Sequence, residues 1–84
     1  MKKITIKYFA SIREALGQGS EKLASDAESL GALRAELVAR GGDYADCLGA
    51  GKAVRMALNQ TMSDESALLP DGAEVDFFPP VTGG

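Results

Sequence analysis

The 84-residue sequence contains no histidine, no tryptophan and only one cysteine, Cys47. Without histidine, the chain cannot form a Ser-His-Asp or Cys-His arrangement for nucleophilic catalysis. The same shortage excludes a zinc site with the usual nitrogen and sulfur ligands. A lone thiol forms no internal disulfide, which favours a reducing compartment. We therefore expect no enzymatic activity from this chain alone, and any chemistry must use its carboxylates, amines, hydroxyls or chain ends.

Charge and hydropathy exclude two further classes of protein. The net charge is −3 and the nine lysines and arginines are scattered, whereas proteins that bind nucleic acid normally show a basic stripe. The sequence has no run of about 18 apolar residues that could span a membrane. Its Met-Lys-Lys start is not followed by the apolar core of a signal peptide, because Thr5 and Lys7 interrupt it. We expect a cytoplasmic location, with no nucleic-acid or membrane partner.

Alternation of apolar and polar residues predicts the strands. The alternation is clearest near the start, where Ile4, Ile6 and Tyr8 occupy every second position of a β-branched run. The predicted strands cover residues 2–9, 21–24, 54–59 and 74–78, with a short return strand that starts at Thr61 and Met62. Pro79 and Pro80 end the last strand, because proline cannot donate to a strand ladder.

One clear helix is predicted over residues 29–40. Its apolar side chains fall at helical spacing along one stripe, formed by Leu30, Leu33, Leu37 and Val38. Ser29 is placed to cap the N-terminus, and Gly41 follows the last residue. Arg34 and Arg40 lie away from the start of the helix, where cations suit its dipole.

Two connecting segments carry no motif to which a chemistry can be assigned. Residues 11–16 predict one helical turn, and residues 43–53 predict a loop because glycines and aspartates are frequent there. Cys47 lies in this loop beside Asp43 and Asp46, whose negative charges disfavour its thiolate form. We expect this thiol to act as a small apolar side chain.

The order of the elements favours an α+β fold, in which the helix covers one face of a mixed sheet of four or five strands. This is the β-grasp, or ubiquitin-like, arrangement, in which the first and last strands lie side by side and parallel. A chain of this length supports one core. We therefore expect a single domain over residues 1–84, with residues 79–84 as an extended C-terminal tail.

Strand alternation also predicts what lies on the uncovered face of the sheet. Phe9 and Phe78 each follow a side chain that points toward the helix, so both point away from it. Because their strands are expected to be parallel neighbours, the two rings meet at the root of the tail as a docking patch for another protein. On the same face, Glu74 and Asp76 are expected to be solvated, as carboxylates mostly are.

The last six residues combine two prolines with two glycines. The prolines favour an extended exit from the sheet, and the glycines leave Gly83 and Gly84 without side-chain bulk. Six extended residues reach at most about 20 Å. This arrangement presents a carboxylate on a thin stalk that fits a narrow active site. Adenylation by an ATP-dependent partner would turn that carboxylate into an acyl donor.

Three segments together are typical of one family. In residues 71–84, Gly83 and Gly84 follow the run Phe-Phe-Pro-Pro-Val-Thr, which is the most specific feature. The other two segments are residues 4–14, an opening strand and turn, and the Ala-Leu-Asn-Gln segment at 57–60, a central strand and turn. These segments resemble the small subunits of molybdopterin synthase (the MoaD family), which are β-grasp sulfur carriers.

The resemblance implies a mechanism. An adenylating enzyme activates the carboxylate of Gly84 with ATP, and sulfur transfer converts it to a thiocarboxylate. The loaded tail, which includes Val81, Thr82 and Gly83, enters the active site of the synthase large subunit. There it donates sulfur to cyclic pyranopterin monophosphate in molybdenum cofactor biosynthesis. The family positions used in docking correspond to Phe9, Arg13, Met62 and Phe78.

The resemblance also implies the partners. These are the synthase large subunit, an E1-like adenylating enzyme and a sulfurtransferase, with the synthase as a heterotetramer. ATP is used by the adenylating partner, and this chain itself binds no cofactor and no metal. Two alternatives share the fold and the Gly-Gly end: a thiamine-type sulfur carrier, and a ubiquitin-like modifier joined to lysines through Gly84. Thiamine-type carriers are usually shorter and lack the Phe-Phe-Pro-Pro-Val-Thr segment.

Overall fold

The computed structural model describes residues 1–49 and 51–79, which form five strands and three helices. The strands are β1 (Lys2–Tyr8), β2 (Ser20–Ser25), β3 (Arg55–Leu58), β4 (Thr61–Ser63) and β5 (Glu74–Phe78). The helices are α1 (Ala10–Leu16), α2 (Leu30–Val38) and α3 (Gly42–Leu48). Within this part of the chain, no helix has the length and apolar character needed to cross a membrane.

The five strands form one mixed sheet in the order β2-β1-β5-β3-β4. β1 and β5 pair in parallel at its centre, and the other neighbouring pairs are antiparallel. The register places Ile6 beside Val75 and Tyr8 beside Phe77. This topology confirms the predicted α+β class and the β-grasp arrangement, with its first and last strands adjacent and parallel.

The core lies between the sheet and the helices, on the face that the alternation assigned to the helix side. Most of its fully buried side chains come from β1, β5 and α2, and these are Ile4, Ile6, Tyr8, Leu30, Leu33, Leu37, Val75 and Phe77. The cap predicted for α2 is present, because the hydroxyl of Ser29 accepts a hydrogen bond of 3.1 Å from the backbone N–H of Ala32. The apolar positions predicted by helical spacing and strand alternation therefore pack together in one core.

The loop predicted over residues 43–53 is wrong in its first half, where α3 forms. Gly41, with φ at 76°, turns the chain sharply before this helix. Leu48 is fully buried, and Tyr44 and Cys47 pack partly against the core. These three side chains fall three and four positions apart, which is the spacing of one helix face. Their packing outweighs the glycine and aspartate content that suggested a loop.

A partly buried network around one carboxylate links α3 to the sheet. The side chain of Glu21 on β2 accepts hydrogen bonds from the hydroxyls of Tyr8 at 2.9 Å and Tyr44 at 3.1 Å. Arg40 forms an ion pair of 2.9 Å with the same carboxylate. Burial, followed by the hydrogen bond and the charge of Glu21, raises the pKa of Tyr8. Arg40 therefore links helix to sheet, in addition to lying near the end of its own helix.

Arg34 occupies a buried position that its placement on the predicted helix does not indicate. Only 8% of its surface is exposed, and its guanidinium crosses from α2 to the end of α3. It donates to the backbone carbonyls of Leu48 at 2.6 Å, Gly49 at 2.8 Å and Lys52 at 2.7 Å. The guanidinium therefore joins α2 to carbonyls at and just after the end of α3 through hydrogen bonds from a charged donor, which are stronger than neutral ones.

We expect Arg34→Met to destabilise the fold by about 2–4 kcal/mol, because the variant keeps the apolar stem but loses three charge-assisted hydrogen bonds that join α2 to the end of α3. Urea denaturation measures this change. Arg13→Met is the matched control, since Arg13 is exposed on α1 and surface substitutions usually change stability by less than about 0.5 kcal/mol. Equal stability of the two variants would contradict the role given to Arg34.

Candidate functional site

Phe9 and Phe78 lie together on the face of the sheet that the helices leave uncovered, called here the open face. Their ring centroids are 4.7 Å apart, and the rings are stacked with an interplanar angle of 15°. The backbone N–H of Phe9 donates to the carbonyl of Phe77 at 3.1 Å, which extends the β1–β5 pairing by one step. The structure thus confirms the predicted meeting of the two rings at the carboxyl ends of parallel strands.

The stacked rings form one wall of a groove of about 350 Å³, called here the docking groove. It is lined by Phe9, Ala10, Arg55, Met62, Phe78 and Pro79. Pairing across the sheet explains this set, because Arg55 lies opposite Phe78 and Met62 lies opposite Ala57. The side chain of Met62 is 56% exposed. An exposed apolar groove of this kind is typical of a surface that another protein covers.

The docking groove lies where the tail begins. Pro79, one of its lining residues, is the last residue that the structure describes. The tail positions singled out by the sequence, Val81, Thr82, Gly83 and Gly84, lie outside the described residues. Their chemical role stays a prediction.

Arg13 is the one predicted docking residue that does not line the groove. It is exposed on α1, one turn after Phe9, and its guanidinium lies against Gly19. A Cβ atom at Gly19 would come within 3.0 Å of Nε of Arg13. The structure therefore brings three of the four predicted docking residues together and places Arg13 apart from them, on α1 and against Gly19. The docking role of all four stays a prediction.

The backbone turns at Ala10 to form the edge of the groove. Ala10 adopts a φ of 51°, in the left-handed region that a non-glycine residue enters at a cost of about 1 kcal/mol. Phe9 before it is extended, with φ at −124° and ψ at 154°. The strained residue directs the chain from β1 into α1 while Phe9 remains on the open face. The sequence gives no signal for this strain, because alanine is the best helix former.

Asp76 corrects the expectation that the carboxylates of the open face are solvated. Only 6% of its surface is exposed, and its Oδ1 atom is buried without a hydrogen-bond partner. Burial, followed by the charge of Glu74, raises the pKa of Asp76, and Lys7 opposes this increase. Alternation along its own strand does not predict this burial, because neighbouring strands cover it on both sides. The register places Lys7 on one side and Ala57 on the other.

Cys47 is partly buried, and its pKa is raised mainly by burial and then by the charges of Asp43 and Asp46. The prediction that these neighbours disfavour a thiolate is confirmed. Among residues 1–49 and 51–79, no group of three cysteine or carboxylate side chains is placed to hold a metal ion.

Comparison with known proteins places this site in a family. The model of the ThiS family matches residues 6–84. The molybdopterin synthase sulfur carrier subunit of Escherichia coli (strain K12) is 41% identical over 81 residues, which cover 96% of this chain and 99% of the relative. These matches confirm the family resemblance carried by the segments at 4–14, 57–60 and 71–84.

Solved structures give the same fold. A chain in the complex of subunits 1 and 2 of molybdopterin-converting factor from Helicobacter pylori aligns with a TM-score of 0.69 and 26% identity, over 98% of this chain and 99% of that chain. Small archaeal modifier protein 1 of Haloferax volcanii aligns with a TM-score of 0.80 over 96% of this chain and 100% of that chain. At 20% identity, this second likeness shows the β-grasp fold alone.

The family match begins in β1 and includes the docking groove and both terminal glycines, and the identity to a sulfur carrier subunit extends over nearly the whole chain. The chain therefore belongs to the ThiS family.

Proposed function

We propose that this chain is the sulfur carrier subunit of a molybdopterin synthase and acts in molybdenum cofactor biosynthesis. The observation that carries the proposal is the 41% identity, over 96% of the chain, to a relative with that name. The docking groove supports it, because a carrier must bind a partner beside its reactive tail. The carrier is proposed to act in the cytoplasm and only as part of a complex.

In the proposed reaction, the reactive group is the carboxylate of Gly84. A carboxylate resists attack because its oxygen is a poor leaving group. An E1-like partner overcomes this when the carboxylate attacks the α-phosphorus of ATP, which releases pyrophosphate and forms an acyl adenylate. Sulfur at the oxidation level of hydrosulfide, delivered by a sulfurtransferase, then attacks the acyl carbon, AMP leaves, and a thiocarboxylate remains on Gly84. ATP binds to the adenylating partner, and this chain contributes only the acyl group.

The docking groove is proposed to bind the synthase large subunit. Phe9, Phe78 and Met62 offer apolar surface that a partner can cover, and aromatic anchors of this kind dominate binding energies. With the groove covered, the segment after Pro79 is directed into the partner. Gly83 and Gly84 then place the sulfur beside cyclic pyranopterin monophosphate, with no side chain to obstruct it. The Helicobacter pylori structure, a complex of two subunits, supports this pairing.

The alternatives differ in what becomes of the activated carboxylate. A thiamine-type carrier also forms a thiocarboxylate but delivers sulfur to a different acceptor. A ubiquitin-like modifier instead forms an amide with a lysine of a target protein. Because all three use the same acyl adenylate, the product at Gly84 distinguishes the modifier, and complementation of a mutant strain distinguishes the pathway.

We expect this chain, when produced with its adenylating enzyme and a sulfurtransferase, to contain a species heavier by one oxygen-to-sulfur exchange. Intact-mass spectrometry measures it. Deletion of Gly84 is the control, which should abolish the heavier species and fail to complement a strain that lacks the synthase small subunit. Absence of the heavier species from the full-length chain would contradict the sulfur-carrier role. Conjugates to lysine would favour a ubiquitin-like modifier.

We expect Met62→Ala to weaken binding to the large subunit by about tenfold, because it removes an exposed apolar side chain from the docking groove. Leu68→Ala is the matched control, since Leu68 is also exposed, at 77%, but lies outside the groove. Isothermal titration calorimetry compares the two. If Leu68→Ala weakens binding as much as Met62→Ala, the groove is not the docking surface.

A further inference from the structure

The open face carries a carboxylate whose hydrogen bonding is incomplete. Oδ1 of Asp76 is buried and has no partner, although native proteins satisfy the great majority of their buried polar atoms. Asp76 lies on β5 two residues before Phe78, on the same face of the sheet. The unsatisfied group is therefore next to the docking groove.

The charged groups around Asp76 leave it without a dedicated cation. Lys7, opposite it on β1, forms an ion pair of 3.4 Å with Glu74. Glu74, on the same strand and face, is itself negative. On β3, Arg55 lies opposite Phe78 and lines the groove, while Ala57 is the residue opposite Asp76. On β4, the residue that faces this row is Met62, which carries no charge.

An unpaired buried acceptor costs free energy, and a charged one costs more. The chain could avoid that cost with alanine at this position, as it does with Ala57 beside it. A strained or unsatisfied group is often retained at the place where a ligand or partner supplies what is missing. For Asp76, the missing element is a hydrogen-bond donor, and the neighbouring surface is the one that a partner is proposed to cover.

We propose that Asp76 determines which partner surface can dock, and that the synthase large subunit places a lysine or arginine side chain against its carboxylate. This inference rests on the proposed function and identifies the chemistry of the partner at one point. A cation fits because charge-assisted hydrogen bonds are the strongest that a carboxylate accepts. An apolar partner surface at this point would remove water from the carboxylate without supplying a hydrogen-bond donor. Asp76 therefore disfavours partners with such a surface.

The neighbouring side chains allow such an approach. Lys7 and Met62, the long side chains of the row that contains Asp76, are 45% and 56% exposed. Both have several rotatable bonds, so contact with a partner can move them without disturbing the backbone. The groove and the carboxylate then form one surface, with apolar contacts that supply area and a charged contact that supplies selectivity.

The test compares Asp76→Ala with the wild-type chain in two measurements. We expect the variant to bind the purified large subunit at least about tenfold more weakly by isothermal titration calorimetry, because the partner's cation loses its acceptor. We expect the isolated variant to be at least as stable as wild type in urea, because a buried carboxylate with an unpaired Oδ1 atom has been removed. A structural role would instead lower stability and leave affinity intact, and that result would overturn the proposal.

Two controls accompany this comparison. Asp26→Ala makes the same change of charge at an exposed site in the loop between β2 and α2, and its affinity should equal that of wild type. Asp76→Asn keeps the shape and an acceptor but loses the charge, so it should bind several-fold more weakly. Unchanged affinity of both Asp76 variants would overturn the role of Asp76. Failure of wild type itself to bind the large subunit would instead overturn the proposed function.

The pH dependence gives an independent result. A bound cation favours ionised Asp76, whereas burial and Glu74 raise the pKa of Asp76 in the free chain. Wild-type affinity, relative to Asp76→Ala, should therefore fall as the pH is lowered through that raised pKa. Lys7, Glu74 and Arg55, the charged groups around Asp76, are present in both proteins. A relative affinity that rises as the pH falls would show that Asp76 docks as a neutral acid, which contradicts the proposal.

Discussion

Parallel pairing of β1 with β5 is the contact on which the candidate site depends. It joins residues 5–8 to residues 74–77, two segments at opposite ends of the chain. Closing so long a loop costs entropy, which is offset by burial of Ile6, Val75 and Phe77. Because the strands are parallel, their carboxyl ends meet at one edge of the sheet. Phe9, Phe78 and the start of the tail are brought together for this reason.

The two faces of that sheet differ in what covers them. One face holds the core and is covered by the helices, so its side chains are constrained by packing. The open face holds the docking groove, where side chains are free to suit a partner. Asp76 combines the two situations, since it is almost fully buried yet belongs to the open face. Its carboxylate gives a partner a chemical requirement in addition to an apolar area.

Much of the fold could be predicted from the sequence, because its signals lie in residues close together along the chain. Alternation located the strands, helical spacing located α2, and side-chain parity placed Phe9 and Phe78 on the open face. The failures share a different cause. The helix α3 depends on Leu48 fitting the core, and the burial of Arg34 and Asp76 depends on groups from other elements. The contacts of Arg34 and Asp76 exist only after the chain has folded, so no nearby residue predicts them. For α3, the helical spacing of its apolar residues was a local signal that the glycine and aspartate content obscured.

The central position of β5 also has a mechanical consequence. β5 is hydrogen-bonded on both sides, to β1 and to β3, and the tail continues from its carboxyl end. A pull on that end acts along the strand, across hydrogen bonds that are oriented between strands. The bonds to both neighbours then share the load, whereas an edge strand could be peeled away one bond at a time. A force applied to the chain beyond β5 is therefore resisted by the hydrogen bonds to β1 and β3 together.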